Sequence, residues 1–203
     1  MKKHIFSDQK SVKRCWWCQG SPLYQKYHDK EWGVPIKNDR KLFEKICLEG
    51  FQAGLSWITI LKKREAFRDA FDGFEIERVA RFTSRRVEKL LTNESIIRHR
   101  GKIEATINNA QRAIELQDQA GSLAKFFWSF EPKRSRKFDA ARAITDESTD
   151  MSKQLRKLGW KFVGPTTCYS FMQAMGFVND HHPDCHRHAE IKRLRAKFAR
   201  PKK

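Results

Sequence analysis

Along most of the chain, apolar residues recur every three or four positions, the repeat of a helix with one face turned to a core. Leu42, Phe43, Ile46, Cys47 and Gly50 fall at i, i+1, i+4, i+5 and i+8. Asn38 or Asp39 offers a side-chain oxygen to cap the start. The helical pattern runs on to Phe71. Gly50 and Gly54 are expected to break it, because a glycine inside a helix costs about 1 kcal/mol. One further helix, or two short ones, is predicted over about 75–91. Another covers residues 101–120, with Ile103, Ile107, Ala110, Ala113, Ile114 and Leu116 on its apolar side and Gly121 as its stop. Residues 126–145 are mixed, with a basic loop near 131–137. Asp146 or Ser148 starts a helix near 150–158. Leu158 to Pro165 is a glycine-bounded turn before a helix from Thr166 to about Met175. Residues 15–35 are rich in Trp, Tyr and turn formers. Alternation fit for a sheet persists nowhere, so the fold class is all-α.

Composition narrows the picture. The chain has 203 residues, enough for one domain, and its 15 Phe and 6 Trp supply core material that disordered chains lack. No run of about 18 apolar residues exists, so no membrane span is expected. The Lys-rich start leads into no apolar signal segment. Five cysteines, an odd number, argue against a disulfide scaffold and for a reducing cytoplasm. The formal charge is +18. Residues 1–14 hold five Lys/Arg against one Asp, and residues 186–203 hold eight against one Glu. The body between them still carries +7. Such a balance suits a polyanion, through phosphate contacts and counterion release. The two arms read either as part of that footprint or as frayed basic termini. Nothing calls for more than a monomer.

Two cysteines and two histidines make a closed tetrahedral zinc site. Cys15 and His28 lie near one end of the chain, and His181-x3-Cys185 near the other, its two ligands one helical turn apart. Cys18 rivals Cys15, and His182 rivals His181. Four N/S ligands leave no open position, so one structural Zn2+ per chain is expected, tying the two ends together.

Glu49 sits in the most apolar stretch, ICLEGFQAGLSWITIL, with Trp57 further along and Trp17, Tyr24, Tyr27 and Trp32 upstream. A carboxylate among rings suits a flat, cationic, nitrogen-rich ligand, which the rings stack on and the carboxylate hydrogen-bonds. The plain alternative is a surface Glu near core aromatics. The turn Leu158–Gly164 joins two helices, and glycines permit close backbone approach. The amides that open the second helix then offer an anion site, as in helix-hairpin-helix elements that grip DNA phosphates.

These pieces occur in a familiar order. Cys15-Trp16-Trp17, Tyr27-His28-Asp29, Glu31-Trp32-Gly33-Val34-Pro35, Cys47-Leu48-Glu49-Gly50, Gln52-Ala53-Gly54-Leu55-Ser56-Trp57, Arg98-His99-Arg100-Gly101-Lys102, Phe162-Val163-Gly164, Cys168-Tyr169-Ser170-Phe171-Met172 and Val178-Asn179-Asp180-His181 resemble the 3-methyladenine DNA glycosylase I family. The resemblance runs from Cys15 to about Cys185. It implies a helix-hairpin-helix DNA glycosylase fold with termini joined by zinc. It also implies excision of N3-methyladenine from alkylated double-stranded DNA, without strand cleavage. The zinc ligands it implies are Cys15, His28, His181 and Cys185. The base contacts are Glu49, Tyr27 and Trp57, in a pocket lined by Trp17, Tyr24 and Trp32, with Glu49 as the residue carrying catalysis. Gly54 and Leu55 face the lesion gap. Gly159, Lys161, Val163 and Gly164 hold phosphate. Asp180 is assigned no catalytic role, since the family generally lacks that aspartate. Phe51 departs from the family, standing where a polar residue is often found. The organisation expected is a basic extension over 1–14, a glycosylase domain over 15–185 and a basic tail over 186–203. Within that domain, the helical body spans about 36–175 and the zinc-clipped ends 15–35 and 176–185. The main rival is a zinc-stabilised DNA-binding module without chemistry. A zinc hydrolase is a second rival, and it requires a vacant ligand position.

Overall fold

The computed structural model describes residues 4–134 and 136–201. Side-chain caps start five of the eleven α-helices among the described residues. A short antiparallel hairpin comes first, β1 (Ile5–Ser7) with β2 (Lys13–Cys15), Ile5 paired with Cys15. Ser21 then accepts a hydrogen bond from the Tyr24 amide, and Pro22 takes the first helical position of α1 (Pro22–Lys30). Asn38 accepts from the Lys41 amide and opens α2 (Asp39–Gln52). There follow α3 (Trp57–Lys62), α4 (Arg64–Ala70), α5 (Ile76–Val79) and α6 (Ser84–Leu91). His99 caps the long α7 (Arg100–Ala120), which ends on Gly121 at φ +81°. Ser122 caps α8 (Leu123–Trp128). Thr145 and Ser148 exchange reciprocal bonds at the start of α9 (Asp146–Lys157). The last two helices are α10 (Pro165–Ala174) and α11 (His188–Lys197).

The architecture is helical, as the periodicity implies. The core centres on α2, which packs against α7, α8 and α10 and buries Leu42, Phe43, Ile46, Leu48 and Phe51. Phe51, Phe67, Phe71 and Phe74 stack in series beneath it, with ring centroids 4.6 Å apart for the first pair. Each such side chain contributes about 1.5–3 kcal/mol on burial.

Three expectations need correction. Gly50 does not break the helix but lies within α2, where a Cβ would meet Cβ of Phe162 at 3.2 Å. The break falls at Gly54 alone, at φ +79°. The cap of α9 is Thr145 rather than Asp146 or Ser148. The stretch 15–35 contains a full helix, α1, announced by the Ser21-Pro22 pair.

Neither basic arm is frayed over its described residues. Arg14 bonds Asp8 at 2.7 Å and Asp29 of α1 at 2.9 Å, which docks the hairpin. The tail forms α11, with Ile191 fully buried. Just beyond it, Phe198 lies 4.6 Å from Trp128. Arg195 and Arg200 share Glu131, each at 2.8 Å. A chain truncated after Arg187 is therefore expected to melt roughly 6–12 °C lower, from the loss of about 3 kcal/mol held by one buried and one half-buried apolar side chain. An unchanged melting temperature in a calorimetric scan would return the tail to a passive extension.

Candidate functional site

Three helices build one slot. Glu49 projects from α2, Tyr24 and Tyr27 from α1, and Trp57 from the first position of α3. Trp17 and Trp32 flank α1 in sequence. All six line a single cavity of about 210 Å³, with Phe138, Arg142, Gln173 and Asp180 on its other sides. Tyr27 and Trp57 lie 5.5 Å apart between centroids. Trp17 meets Tyr24 at 4.9 Å and the edge of Trp32 at 5.0 Å. Burial pushes the Tyr24 phenol up to about 12 and Tyr27 well above its ordinary value, so both are neutral hydrogen-bonding groups at physiological pH. The indole N–H of Trp57 is buried with no hydrogen-bond partner among the described residues.

Glu49 is 5% exposed, so it is no surface residue. It is also not alone, which sequence reasoning missed. Lys45, one turn earlier on α2, places its Nζ 2.8 Å from Glu49 Oε1. The same ammonium donates to the Tyr27 hydroxyl at 2.8 Å and stands 3.3 Å from the Trp57 ring centroid. Burial pushes the Glu49 carboxyl above its ordinary value, and Lys45 opposes that rise. Burial likewise pulls Lys45 below its ordinary value, against Glu49. The signal was present in the sequence as opposite charges at i and i+4 inside an apolar run. Across the slot, Asp180 accepts from Tyr169 at 2.5 Å and Gln173 at 2.9 Å, both on Oδ2.

The far end of the aromatic wall meets the Cys–His cluster. Sγ of Cys15 and Cys185, Nε2 of His28 and Nδ1 of His181 lie within 4.8 Å of one another, all buried. Individual separations are 3.2 Å for the two imidazole nitrogens and 3.5–3.8 Å for the sulfur–nitrogen pairs. These match the edges, about 3.3–3.8 Å, of a tetrahedron with zinc–nitrogen and zinc–sulfur bonds of ordinary length. His28 Nδ1 bonds Asp29 at 2.8 Å, and His181 Nε2 bonds the Trp32 carbonyl at 3.1 Å. Each second nitrogen is thereby aimed inward. Burial pulls His181 below its ordinary value and keeps it neutral. Of the open alternatives, Cys18 is buried but turns its thiol to the Cys15 carbonyl, 3.2 Å away. His182 gives the cluster only its backbone amide, to Cys15 Sγ at 3.3 Å.

The remaining predicted residues lie on two turns. Gly54 and Leu55 form the exposed break between α2 and α3, with Leu55 41% exposed. Lys102 of α7, another buried cation, holds this break by donating to the carbonyls of Phe51 and Ala53 at 2.8 and 2.6 Å. Gly159 at φ +81° bends the α9–α10 turn. Asn109 clamps the Lys161 backbone from both sides, accepting its N–H at 2.8 Å and donating to its carbonyl at 2.9 Å. No side chain caps α10 after Gly164, so the Thr166 and Thr167 amides have neither an intrahelical partner nor a capping side chain. Val163 is buried, and Lys161 is exposed beside those amides.

Comparison with known proteins agrees with this geometry. Residues 17–188 match the sequence pattern described as methyladenine glycosylase. The chain is 48% identical over 179 residues to DNA-3-methyladenine glycosylase 1 of Escherichia coli (strain K12), covering 86% of this chain and 96% of that protein. It is 45% identical over 177 residues to DNA-3-methyladenine glycosylase of Haemophilus influenzae, with coverage of 85% and 96%. The fold superposes on a crystal structure of 3-methyladenine DNA glycosylase I with a TM-score of 0.82, at 50% identity, over 86% of this chain and 99% of the other. A variant of such an enzyme, solved in complex with 3-methyladenine, matches with a TM-score of 0.80 at 38% identity, over 85% and 95%. With the pattern spanning the slot, both turns and three residues of the cluster, and with relatives near half identity over nearly their whole length, the chain belongs to the methyladenine glycosylase family.

Proposed function

We propose that this protein is a monofunctional DNA glycosylase that releases N3-methyladenine from alkylated double-stranded DNA. The observation that carries the reading is a buried carboxylate at Glu49 facing a cavity walled by Tyr27, Trp57, Trp17, Tyr24 and Trp32. A flipped nucleotide costs a few kcal/mol to unstack, least where the base is damaged. Within the slot, rings stack on the base, and Glu49 accepts hydrogen bonds from its N–H donors. Methylation at N3 gives the base a fixed positive charge, which the rings and the carboxylate both favour. Normal adenine is neutral and forfeits those terms.

Catalysis then asks little of an acid. As the bond from C1′ to the base breaks, its electron pair flows into the ring and cancels the charge, so the base leaves neutral. Water adds to C1′ of the oxocarbenium-like sugar and releases a proton to solvent. No lysine is among the described residues lining the slot, and the nearby Lys45 ammonium is engaged by Glu49 and Tyr27 and lines the neighbouring cavity, which supports a reaction without a Schiff base or strand cleavage. The exposed Leu55 is suited to fill the gap left by the flipped base. The uncapped start of α10, with Lys161 and the glycines of the turn, is suited to hold a backbone phosphate. One chain carries every part, consistent with a monomer. Among the described residues no helix is long and apolar enough to cross a membrane.

Cys15, His28, His181 and Cys185 fit zinc by donor type and spacing. Bound there, the ion would act as a crosslink between chain ends, all four protein ligands leaving no place for substrate.

Two measurements test these roles. Glu49→Gln should slow release of free base from methylated duplex by roughly 10- to 100-fold, the worth of a charged hydrogen bond. Release at the wild-type rate removes Glu49 from the mechanism, and DNA binding with no release by the wild type favours a non-catalytic module. Metal analysis should find one zinc per chain, and its removal by a chelator should lower the melting temperature, with activity lost only as the fold is lost. Loss of turnover in a fully folded, metal-free protein would identify a catalytic metal instead.

A further inference from the structure

The Lys45 ammonium touches the same three groups that the proposed function assigns to the base. It lies on Glu49 Oε1 and Tyr27 Oη, both at 2.8 Å, and 3.3 Å from the Trp57 ring centroid. Yet it does not share the slot. Lys45 lines a second cavity of about 240 Å³, behind the first, and Glu49 is absent from that lining. Tyr27 and Trp57 line both cavities and form the partition between them. The lysine therefore reaches the carboxylate from behind, engages Oε1 and covers one side of the indole. Glu49 Oε2 and the slot side of the rings are left for a ligand.

We infer that Lys45 is a positioning residue for base recognition, holding the Glu49 carboxylate charged and aimed into the slot from behind the aromatic partition. The inference rests on Glu49 being the base acceptor. The physical need is plain. A lone carboxylate away from water takes up a proton sooner than it stays charged. A carboxylic acid at position 49 would lack the charge that selects a cationic purine. Lys45 itself is 6% exposed on a helix face shared with Leu42 and Leu48, where an apolar residue would pack without desolvating a cation.

Surrounding groups do not supply the same charge. From α1, Tyr24 and Tyr27 are neutral, their phenols raised chiefly by burial. Glu31, just past α1, is bound to Arg64 of α4 at 2.6 Å, so those charges offset each other. Glu44 and Arg68 are paired in the same way at 2.7 Å. Lys30 and Lys41, at the rim of the rear cavity, are exposed. Across the slot, Asp180 is bound to Tyr169 and Gln173, while Asp139 and Arg142 stand on the opposite lining. Lys45 is the one cation within ion-pair distance of Glu49 among the described residues.

The test is single-turnover release of N3-methyladenine from methylated duplex, measured against pH with enzyme in excess. Lys45→Met, Lys45→Gln and Lys45→Arg are each checked for folding by their melting curves. The charge on the methylated nucleotide is fixed, so it does not titrate. Only ionised Glu49 is competent, and a higher pKa for that carboxyl demands a higher pH to reach it. Lys45→Met should therefore shift the acid limb of the profile to alkaline pH by about one unit or more, a loss of about tenfold at a fixed pH on that limb. Activity should recover as the pH is raised. Lys45→Gln keeps a hydrogen-bonding side chain of similar length without charge, and should show the same shift even if the methionine variant fails to fold. Lys45→Arg should restore the wild-type profile. Coincident profiles, or a drop by one constant factor at every pH, would overturn the inference and leave Lys45 a packing residue. Glu49→Gln run alongside separates the two claims. A slow, pH-independent Glu49→Gln with unshifted Lys45 variants sinks only the role of Lys45, whereas a wild-type-like Glu49→Gln sinks the base-acceptor reading itself.

Discussion

A carboxylate and an ammonium paired where water is nearly absent are the constraint on which this structure turns. Desolvation opposes the pair, and the fold meets that cost by setting its members one helical turn apart, with a hydroxyl and an indole around the ammonium. Such an arrangement tolerates little movement, because a buried pair is stabilising only while its geometry holds. That accounts for the placement of Glu49 on α2, the helix most enclosed by others, rather than on a loop. It also accounts for the rings on α1 and α3 being packed against each other before any ligand arrives.

Rigidity of the slot reaches well beyond α2. Trp17 and Trp32 pass from the slot to His28 and His181, with Trp32 edge-on to His181 at 4.6 Å. Chain segments between α1 and α2 and after α10 are drawn so tightly together that glycine is required twice. A Cβ on Gly33 would meet His181 at 3.3 Å, and one on Gly176 would meet the Pro35 backbone at 2.5 Å. The Cys–His cluster and the aromatic wall thus form one body, and whatever steadies the cluster also steadies the rings that face the ligand.

Much of this was legible in the residues. Helix α7 was readable from its apolar stripe and its glycine stop, and α10 from the turn before it. The six slot residues stood out because rings and one acid crowd an apolar segment, and the structure brings all six to one cavity. Spacing alone did not separate Cys15 from Cys18 or His181 from His182. Those choices depend on where the backbone turns after β2 and after α10, which are tertiary facts. Lys45 and Lys102 were missed because lysine is ordinarily a solvent-facing residue, and only three-dimensional packing exposes their buried partners. The tail helix was hidden by its charge, since Arg195 and Arg200 find Glu131 across more than sixty residues.

The contact between Gly50 and Phe162 joins two parts of the molecule that are otherwise separate in sequence. Gly50 follows Glu49 directly on α2, and Phe162 sits at the tip of the α9–α10 turn with φ +56°. Their close approach ties the slot to the α9–α10 turn with no flexible spacer between. Under the roles proposed for slot and turn, the protein would work as a fixed-calibre gauge: the stride from the sugar–phosphate backbone to an everted base would be preset, and a strand whose stride differs would not satisfy both ends together.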